Sequence, residues 1–193
     1  INFGIKHSKT EYIAFLNSDD VYAEPNSLIK IYNYFESNSK ALSVVYTDCE
    51  FVDKNLCHLY HMRGPAQISY KIAKKYLFVL SHPATFFRSS VFLDNGLYRT
   101  DMSVCSDLEF PIRLLKNKVV FNYLPITVPR FRRHENNFSS IQSWSIDLKK
   151  IASLYNAKYS KTRFFILYFY RNIFNLEYLY YLVSRLWRKN DKW

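Results

Sequence analysis

The stretch that most constrains the fold covers residues 12–20, where an apolar run ends abruptly in a polar, acidic tip. A run as short and apolar as residues 12–16 is typical of a buried strand. Ligands of open α/β sheets bind at the carboxyl ends of strands, so we expect Asp19 and Asp20 at the mouth of a site. Adjacent carboxylates need a neighbouring positive charge, and their hard oxygen atoms suit Mg²⁺ or Mn²⁺. The alternative is a plain turn, because Asn, Ser and Asp all favour turns.

The segments around this stretch alternate between helical and strand-like patterns. The first 48 residues predict the order helix, strand, helix, strand, with the second strand at residues 43–47 followed by Asp48; this order is typical of a parallel, layered α/β sheet. Ser106 and Glu109 have the spacing of a capping box at the start of a later helix. The remaining predicted segments are a hairpin at 51–62, helices at 66–77 and 142–155, a short strand ending at Arg88, a strand at 119–123 and an extended segment at 127–133.

Composition excludes several classes of protein. The 193 residues are enough for one domain, or one domain with an appendage. With only 3 Gly in the chain, a Gly-rich phosphate loop or a Rossmann dinucleotide fingerprint is not expected. The three cysteines form no Cys-x-x-Cys pair, which argues against a zinc site built on cysteine and favours reduced thiols in a cytoplasmic protein. Because the chain opens at Ile1 inside an apparent helix, we expect a further portion upstream.

The positive charge is concentrated at the C-terminal end. The net charge is +11, and residues 149–193 hold ten basic and two acidic side chains, a balance of +8. Such a tail predicts an anionic partner, either a membrane surface or nucleic acid. Residues 164–187 are aromatic and basic but interrupted by charges, which favours an in-plane amphipathic helix over a spanning one. Stacking of aromatic residues on single-stranded nucleic acid is the alternative, but no recognition motif supports it and we expect no nucleic-acid partner.

Six motifs occur in order along residues 1–140. They are Asn2-x-Gly4-Ile5, the stretch 12–20 with its tip Asn17-Ser18-Asp19-Asp20, Val45-Tyr46-Thr47-Asp48, the segment 82–88 that opens with His82-Pro83, Asp107-Leu108-Glu109-x-x-x-Arg113-Leu114, and Arg130-x-Arg132-Arg133-His134 followed by Ser139. Together they resemble a family 2 glycosyltransferase with a GT-A fold, truncated at its N-terminus. Asn17 stands where that family commonly has Asp.

The resemblance implies a fold and a domain division. The expected fold class is α/β: a partial GT-A, Rossmann-like mixed sheet flanked by helices at residues 1–140. Residues 141–193 would form a helical, basic, aromatic tail that associates with membranes. The half of the family's domain that holds its first strand and the Asp that reads the nucleotide base has no counterpart in this sequence.

The resemblance also implies a reaction and residue roles. The reaction is transfer of a sugar, with inversion, from a nucleotide-diphosphate sugar to a hydroxyl of a glycan or lipid-linked acceptor, assisted by Mn²⁺ or Mg²⁺. Asp107 would be the general base. The metal ligands would be Asp19, Asp20 and His134, the donor-binding residues Asn17, Ser18, Arg132 and Arg133, and the acceptor-side residues His82, Asp48 and Glu109.

Each of these residues also has an ordinary structural interpretation. Asp107 alone is a common helix-start acid, and His134 alone is a surface residue; the order of the motifs is what favours the catalytic interpretation. We expect a bacterial-type cytoplasmic transferase, peripheral at the inner face of the cell membrane, that builds a surface polysaccharide or glycolipid. The alternatives are an inactive transferase-like module for membrane or protein interaction and, less favoured, a single-stranded nucleic-acid binder.

Overall fold

The computed structural model describes residues 1–77, 80–133, 144–158 and Glu177, which fold into one mixed sheet with helices around it. The strands are β1 (Tyr12–Ala14), β2 (Val21–Tyr22), β3 (Leu42–Val52), β4 (His58–Met62), β5 (Thr85–Arg88) and β6 (Val120–Arg132). The helices are α1 (Asn2–His7), α2 (Ser27–Glu36), α3 (Tyr70–Tyr76), α4 (Ser90–Asn95), α5 (Ser106–Lys116) and α6 (Ser145–Leu154), with a 3₁₀ turn at His82–Ala84.

Strand β3 is the centre of the sheet. The strand order is β1-β5-β3-β6-β2, and β4 pairs with the second half of β3. Among the described strands, β3 and β6 form the one parallel pair. Strand β5 lies between β1 and β3 and is antiparallel to both. The predicted mixed α/β sheet is confirmed. Strands β1 and β3 run in the same direction, as the first 48 residues predict, but β5 lies antiparallel between them, so the sheet is mixed and not parallel throughout.

Strand β6 joins two segments that the sequence predicts separately. Its pairing with β3 shifts register between Leu124, which opposes Thr47, and Thr127, which opposes Asp48. Pro125 lies in this shift and has no N–H to donate to the ladder, so a bulge accommodates it. The single strand places Arg130 and Arg132 next to β2 and the acidic tip that precedes it.

Two hydrophobic cores lie on opposite faces of the sheet. Neighbouring residues of a strand point to opposite faces, so Val44 and Val45 of β3 enter different cores. Val45 packs with Phe35 of α2, whereas Val44 packs with Phe110 of α5 and with residues of α1 and α4. The apolar positions of α2 and α5 recur at helical spacing, which is why each helix covers one face.

A third core joins α3, α5 and α6. Leu148 and Ile151 of α6 are buried with residues of α3 and α5, so the boundary predicted at residue 140 separates residues that share a core. Asp147 of α6 is buried and accepts the backbone N–H groups of Val104 at 2.7 Å and Cys105 at 3.0 Å. The N-cap of α5 is Cys105. The capping box expected between Ser106 and Glu109 does not form, and the Glu109 side chain accepts a hydrogen bond from Arg113.

The basic, aromatic segment 164–187 lies outside the described residues apart from Glu177. In the part of the chain that the structure does describe, no helix combines the length and the apolar character needed to cross a membrane.

Candidate functional site

The acidic tip after β1 is tied to the end of β6 by Asp20. This carboxylate is only 5% exposed; one oxygen accepts the Asn17 Nδ2–H at 2.6 Å and the other accepts the backbone N–H of Arg132 at 2.8 Å. Burial raises the pKa of Asp20, and the two hydrogen bonds only partly oppose that effect. Asp20 therefore holds the tip in place, which differs from the direct metal contact expected from the sequence.

Asp19 is the carboxylate of the pair that reaches the surface. It is partly exposed, and Ser18 and Asn17 beside it are exposed. Because Asn17 turns its amide nitrogen toward Asp20, its amide oxygen lies on the opposite side of the group. Carboxylate and amide oxygens are hard donors, so the tip fits Mg²⁺ or Mn²⁺ through Asp19 and Asn17.

The structure brings one of the two predicted arginines to this tip. The backbone of Arg132 is bonded to Asp20, and the guanidinium of Arg133 donates to the Tyr60 hydroxyl at 2.8 Å. His134, the third expected metal ligand, lies outside the described residues. Of the residues predicted for the donor side, Asp19, Asp20 and the backbone of Arg132 therefore lie together.

Asp107 lies in the first turn of α5. Its side chain is partly buried, and its carboxylate accepts its own backbone N–H and that of Leu108. Burial raises its pKa from 3.8 to about 6, although the backbone hydrogen bonds act in the opposite direction. A carboxylate with a pKa near 6 is ionised at neutral pH and still basic enough to accept a proton from a hydroxyl during reaction.

An aromatic group lies within electrostatic range of Asp107. The charge of Asp107 adds to burial in raising the pKa of Tyr98, whose hydroxyl lies 3.1 Å from His82 Nε2. The His82 ring stacks on Phe15 at 4.8 Å between centroids, and burial lowers the pKa of His82 to about 4. His82 is therefore neutral at physiological pH. The structure thus joins two predicted residues, His82 and Asp107, through a tyrosine.

Tyr98 and Phe15 are residues of this group that sequence reasoning missed. The backbone of Tyr98 is clamped by Asn2, which donates to its carbonyl at 2.7 Å and accepts its N–H at 3.1 Å. Asn2 belongs to the first of the six motifs, so the sequence marks one residue of this contact. It does not show that Asn2 pairs with Tyr98, which lies 96 positions further along the chain. Phe15 follows β1 directly and precedes the acidic tip, so β1 links the two parts of the site.

Asp48 and Glu109, two expected acceptor-side residues, are engaged in internal contacts. Asp48 accepts the Gly64 N–H at 2.7 Å and the Tyr123 hydroxyl at 2.5 Å. Glu109 is 2% exposed, pairs with Arg113 at 2.8 Å and accepts the Tyr155 hydroxyl at 2.5 Å. These contacts favour positioning roles for both carboxylates in place of contact with an acceptor.

Gly64 is required by the close approach of Tyr123. A Cβ at position 64 would lie 2.6 Å from Tyr123 Cε2 and 3.3 Å from Tyr46 Cδ2. We expect Gly64→Ala to lower the free energy of unfolding by about 1–3 kcal/mol through overpacking, measured by urea denaturation. Gly4→Ala is the matched control, because a Cβ there meets nothing within 4 Å; equal losses in both variants would contradict the proposed clash.

Comparison with known proteins places the fold in a class. The S. aureus TarS 1–349 structure in complex with UDP-GlcNAc has a TM-score of 0.59 at 16% identity, covering 83% of this chain and 47% of that chain. The complex of TarS 1–349 with UDP has a TM-score of 0.54 at 17% identity, covering 83% and 46%. The mixed sheet and its helices are therefore a partial GT-A fold, as the sequence predicts.

Sequence comparison then identifies the family. Residues 1–95 match the model of glycosyl transferase family 2. A stretch of 63 residues is 36% identical to an uncharacterized glycosyltransferase of Rickettsia bellii (strain RML369-C), covering 33% of this chain and 9% of that protein. The predicted resemblance to family 2 glycosyltransferases is confirmed by the match over residues 1–95, just under half of the chain. The chain spans about half the length of the solved TarS structures that it matches.

Proposed function

We propose that this chain provides the catalytic-base portion of an inverting glycosyltransferase that moves a sugar from a nucleotide-diphosphate sugar to a hydroxyl acceptor. The observation that carries the proposal is Asp107, an acid at a helix start with its pKa raised by burial to about 6 and with Tyr98 within electrostatic range. The solved TarS complexes contain UDP-GlcNAc and UDP, which supports a uridine diphosphate donor here.

In the proposed reaction Asp107 takes the proton of the acceptor hydroxyl. As that proton leaves, the acceptor oxygen forms a bond to the anomeric carbon, and the bond from this carbon to the diphosphate oxygen breaks on the opposite face. One in-line displacement inverts the anomeric centre and needs one base. Because only the ionised carboxylate accepts a proton, the rate should rise with pH through about 6.

On the donor side, Asp19 and Asn17 would hold Mn²⁺ or Mg²⁺, with His134 as the third ligand. When bound, the ion neutralises charge on the departing diphosphate and orients it. Asp20 keeps the tip against β6, so that Asp19 faces outward. The guanidinium groups of Arg132 and Arg133 can bind phosphate oxygens by charge-assisted hydrogen bonds.

His82 and Tyr98 would line the acceptor side without exchanging charge. His82 is neutral, stacked on Phe15 and bonded to Tyr98, so it can orient a hydroxyl as a hydrogen-bonding group.

The proposal is tested by incubating the chain, and the longest natural polypeptide that contains it, with a panel of nucleotide sugars with and without Mn²⁺. We expect Mn²⁺-stimulated release of the nucleoside diphosphate with at least one uridine diphosphate sugar. Failure to bind or turn over any donor in either polypeptide would favour the inactive interaction module.

The basic C-terminal segment supports a peripheral location at an anionic membrane, where a lipid-linked acceptor for a surface polysaccharide or glycolipid would lie. Its charge balance of +8 predicts co-sedimentation with vesicles that contain anionic lipid at low salt, and release at high salt. Equal sedimentation with neutral vesicles would contradict an electrostatic anchor.

A further inference from the structure

Two histidines of β4, one glutamate of β3 and Glu177 meet at the β3–β4 hairpin. We name Glu50, His58, His61 and Glu177 the hairpin histidine cluster. One ligand atom from each of Glu50, His58 and His61 lies within 4.8 Å of the other two. Glu177 Oε2 lies 3.3 Å from His58 Nε2 and 3.4 Å from His61 Nδ1. Sugar transfer as proposed above uses none of the four.

A β-bulge in the hairpin is what brings the two histidines together. In a regular strand, residues three apart point to opposite faces. Here Phe51 opposes Tyr60 but Val52 opposes His58, so one extra residue, Leu59, is inserted into β4. The bulge places His58 on the same face as His61, which itself opposes Glu50. The two imidazole rings lie 4.7 Å apart between centroids.

Glu50 holds His58 in a metal-binding orientation. Its Oε1 lies 2.9 Å from His58 Nδ1, while its Oε2 accepts the Arg130 Nε–H at 2.7 Å. A carboxylate that accepts the Nδ1–H of an imidazole leaves Nε2 as the lone-pair donor, the arrangement common behind zinc-bound histidines.

The spacing of the three outer atoms matches a tetrahedral metal. Ligands about 2.0–2.1 Å from a tetrahedral zinc ion lie about 3.3–3.4 Å from one another. The two distances from Glu177 Oε2, to His58 Nε2 and to His61 Nδ1, agree with this spacing. The same oxygen accepts the backbone N–H of His61 at 3.0 Å, which holds the carboxylate beside both imidazoles. The side chains of His58, His61 and Glu177 are 40%, 43% and 52% exposed, so an ion can enter from solvent.

We propose that the hairpin histidine cluster binds a divalent transition metal of the zinc type, with His58 Nε2, His61 Nδ1 and Glu177 as ligands and Glu50 as the residue that orients His58. Imidazole ligands favour Zn²⁺ over Mg²⁺, which distinguishes this site from the oxygen donors at Asp19. Because Glu177 is distant in sequence from β4, the ion would link two parts of the chain through this one residue.

The test is calorimetric titration of the full chain with Zn²⁺ alone, in a Cys57→Ser background that removes the exposed thiol next to His58. We expect saturable binding of one Zn²⁺ that Mg²⁺ does not displace. His58→Ala and His61→Ala should each lower the affinity at least tenfold, and Glu50→Gln by about 10–100-fold, as for other residues that orient metal ligands.

His7→Ala is the matched control, because His7 is an exposed histidine that bonds only within its own helix in the described contacts. Its Zn²⁺ affinity should equal that of the parent. Circular dichroism of each variant without metal shows whether the chain is folded, and Zn²⁺ should raise the unfolding temperature of the parent but not of His61→Ala. Absence of saturable binding, or equal affinity in the parent, His58→Ala and His61→Ala, would overturn the proposal.

Discussion

Asp107→Asn is expected to lower sugar transfer by about 10²–10⁴-fold, the usual contribution of a general base, while the chain stays folded. The substitution keeps the shape of the side chain, and its amide oxygen can still accept the backbone N–H groups at the start of α5. What it removes is the negative charge of the carboxylate that we propose as the proton acceptor beside Tyr98. Initial rates at saturating donor, compared with the parent, measure the effect.

The same substitution should stabilise the fold above pH 6. The pKa of Asp107 is about 6 in the folded chain and 3.8 in the reference state, so the folded chain holds the proton more tightly. Stability therefore falls as pH rises from about 4 to 6, and the ionised carboxylate costs about 1–3 kcal/mol above that range. Urea denaturation at pH 7.5 should show Asp107→Asn to be more stable than the parent, with the difference vanishing near pH 4.

Asp94→Asn is the control for Asp107→Asn. Asp94 is exposed on α4, so its replacement should leave both turnover and the pH dependence of stability near those of the parent. A parent-like rate in Asp107→Asn would remove Asp107 from the role of base. A loss of rate accompanied by loss of stability would instead assign it to holding α5.

Asp19→Ala and Asp20→Ala should separate two roles in adjacent carboxylates. Asp20→Ala leaves the Arg132 N–H and the Asn17 amide without their acceptor, so we expect a loss of about 1–3 kcal/mol in the free energy of unfolding. Asp19→Ala should change that free energy by less than about 1 kcal/mol, as is usual for a partly exposed position, but abolish the Mn²⁺-dependent part of turnover.

Each variant of the acidic tip serves as the control for the other. Stability is measured by urea denaturation without metal, and activity by the ratio of rates with and without Mn²⁺. If Asp20→Ala were as stable as the parent and Asp19→Ala unfolded, the assignment of the two carboxylates would be reversed. Equal Mn²⁺ stimulation in Asp19→Ala and the parent would contradict metal binding at the tip.

Local sequence patterns predicted the elements of this fold better than their arrangement. The helix before Glu36 and the strand at 43–47 appear, because burial and periodicity act over a few residues. The strand expected to be buried at residues 12–16 is shorter, Tyr12–Ala14, lies at the end of the strand order and buries only Ile13. The direction of β5 did not follow, because antiparallel insertion between β1 and β3 depends on pairing partners distant in sequence. The backbone of Cys105, the N-cap residue of α5, is likewise held by Asp147, about 40 residues further along the chain.

The candidate site shows the same division. The motif order predicted the family whose model matches residues 1–95, whereas the roles that it gives Asp19, Asp107 and His82 stay predictions. The sequence could not show that Asp20 is buried against Arg132, or that Tyr98 lies between His82 and the charge of Asp107, because both depend on tertiary packing. The hairpin histidine cluster was hidden for a further reason, since strict alternation along β4 would place His58 and His61 on opposite faces.

The role of Asp107 as the general base is tested most directly by the pH dependence of kcat/KM for sugar transfer. The measurement uses the longest natural polypeptide that contains these residues, with and without Asp107→Asn. We expect kcat/KM of the parent to fall at acidic pH, with half-maximal activity near pH 6, and the residual activity of the variant to show no such fall. An identical fall at acidic pH in both proteins would show that another group accepts the proton and would contradict the central claim.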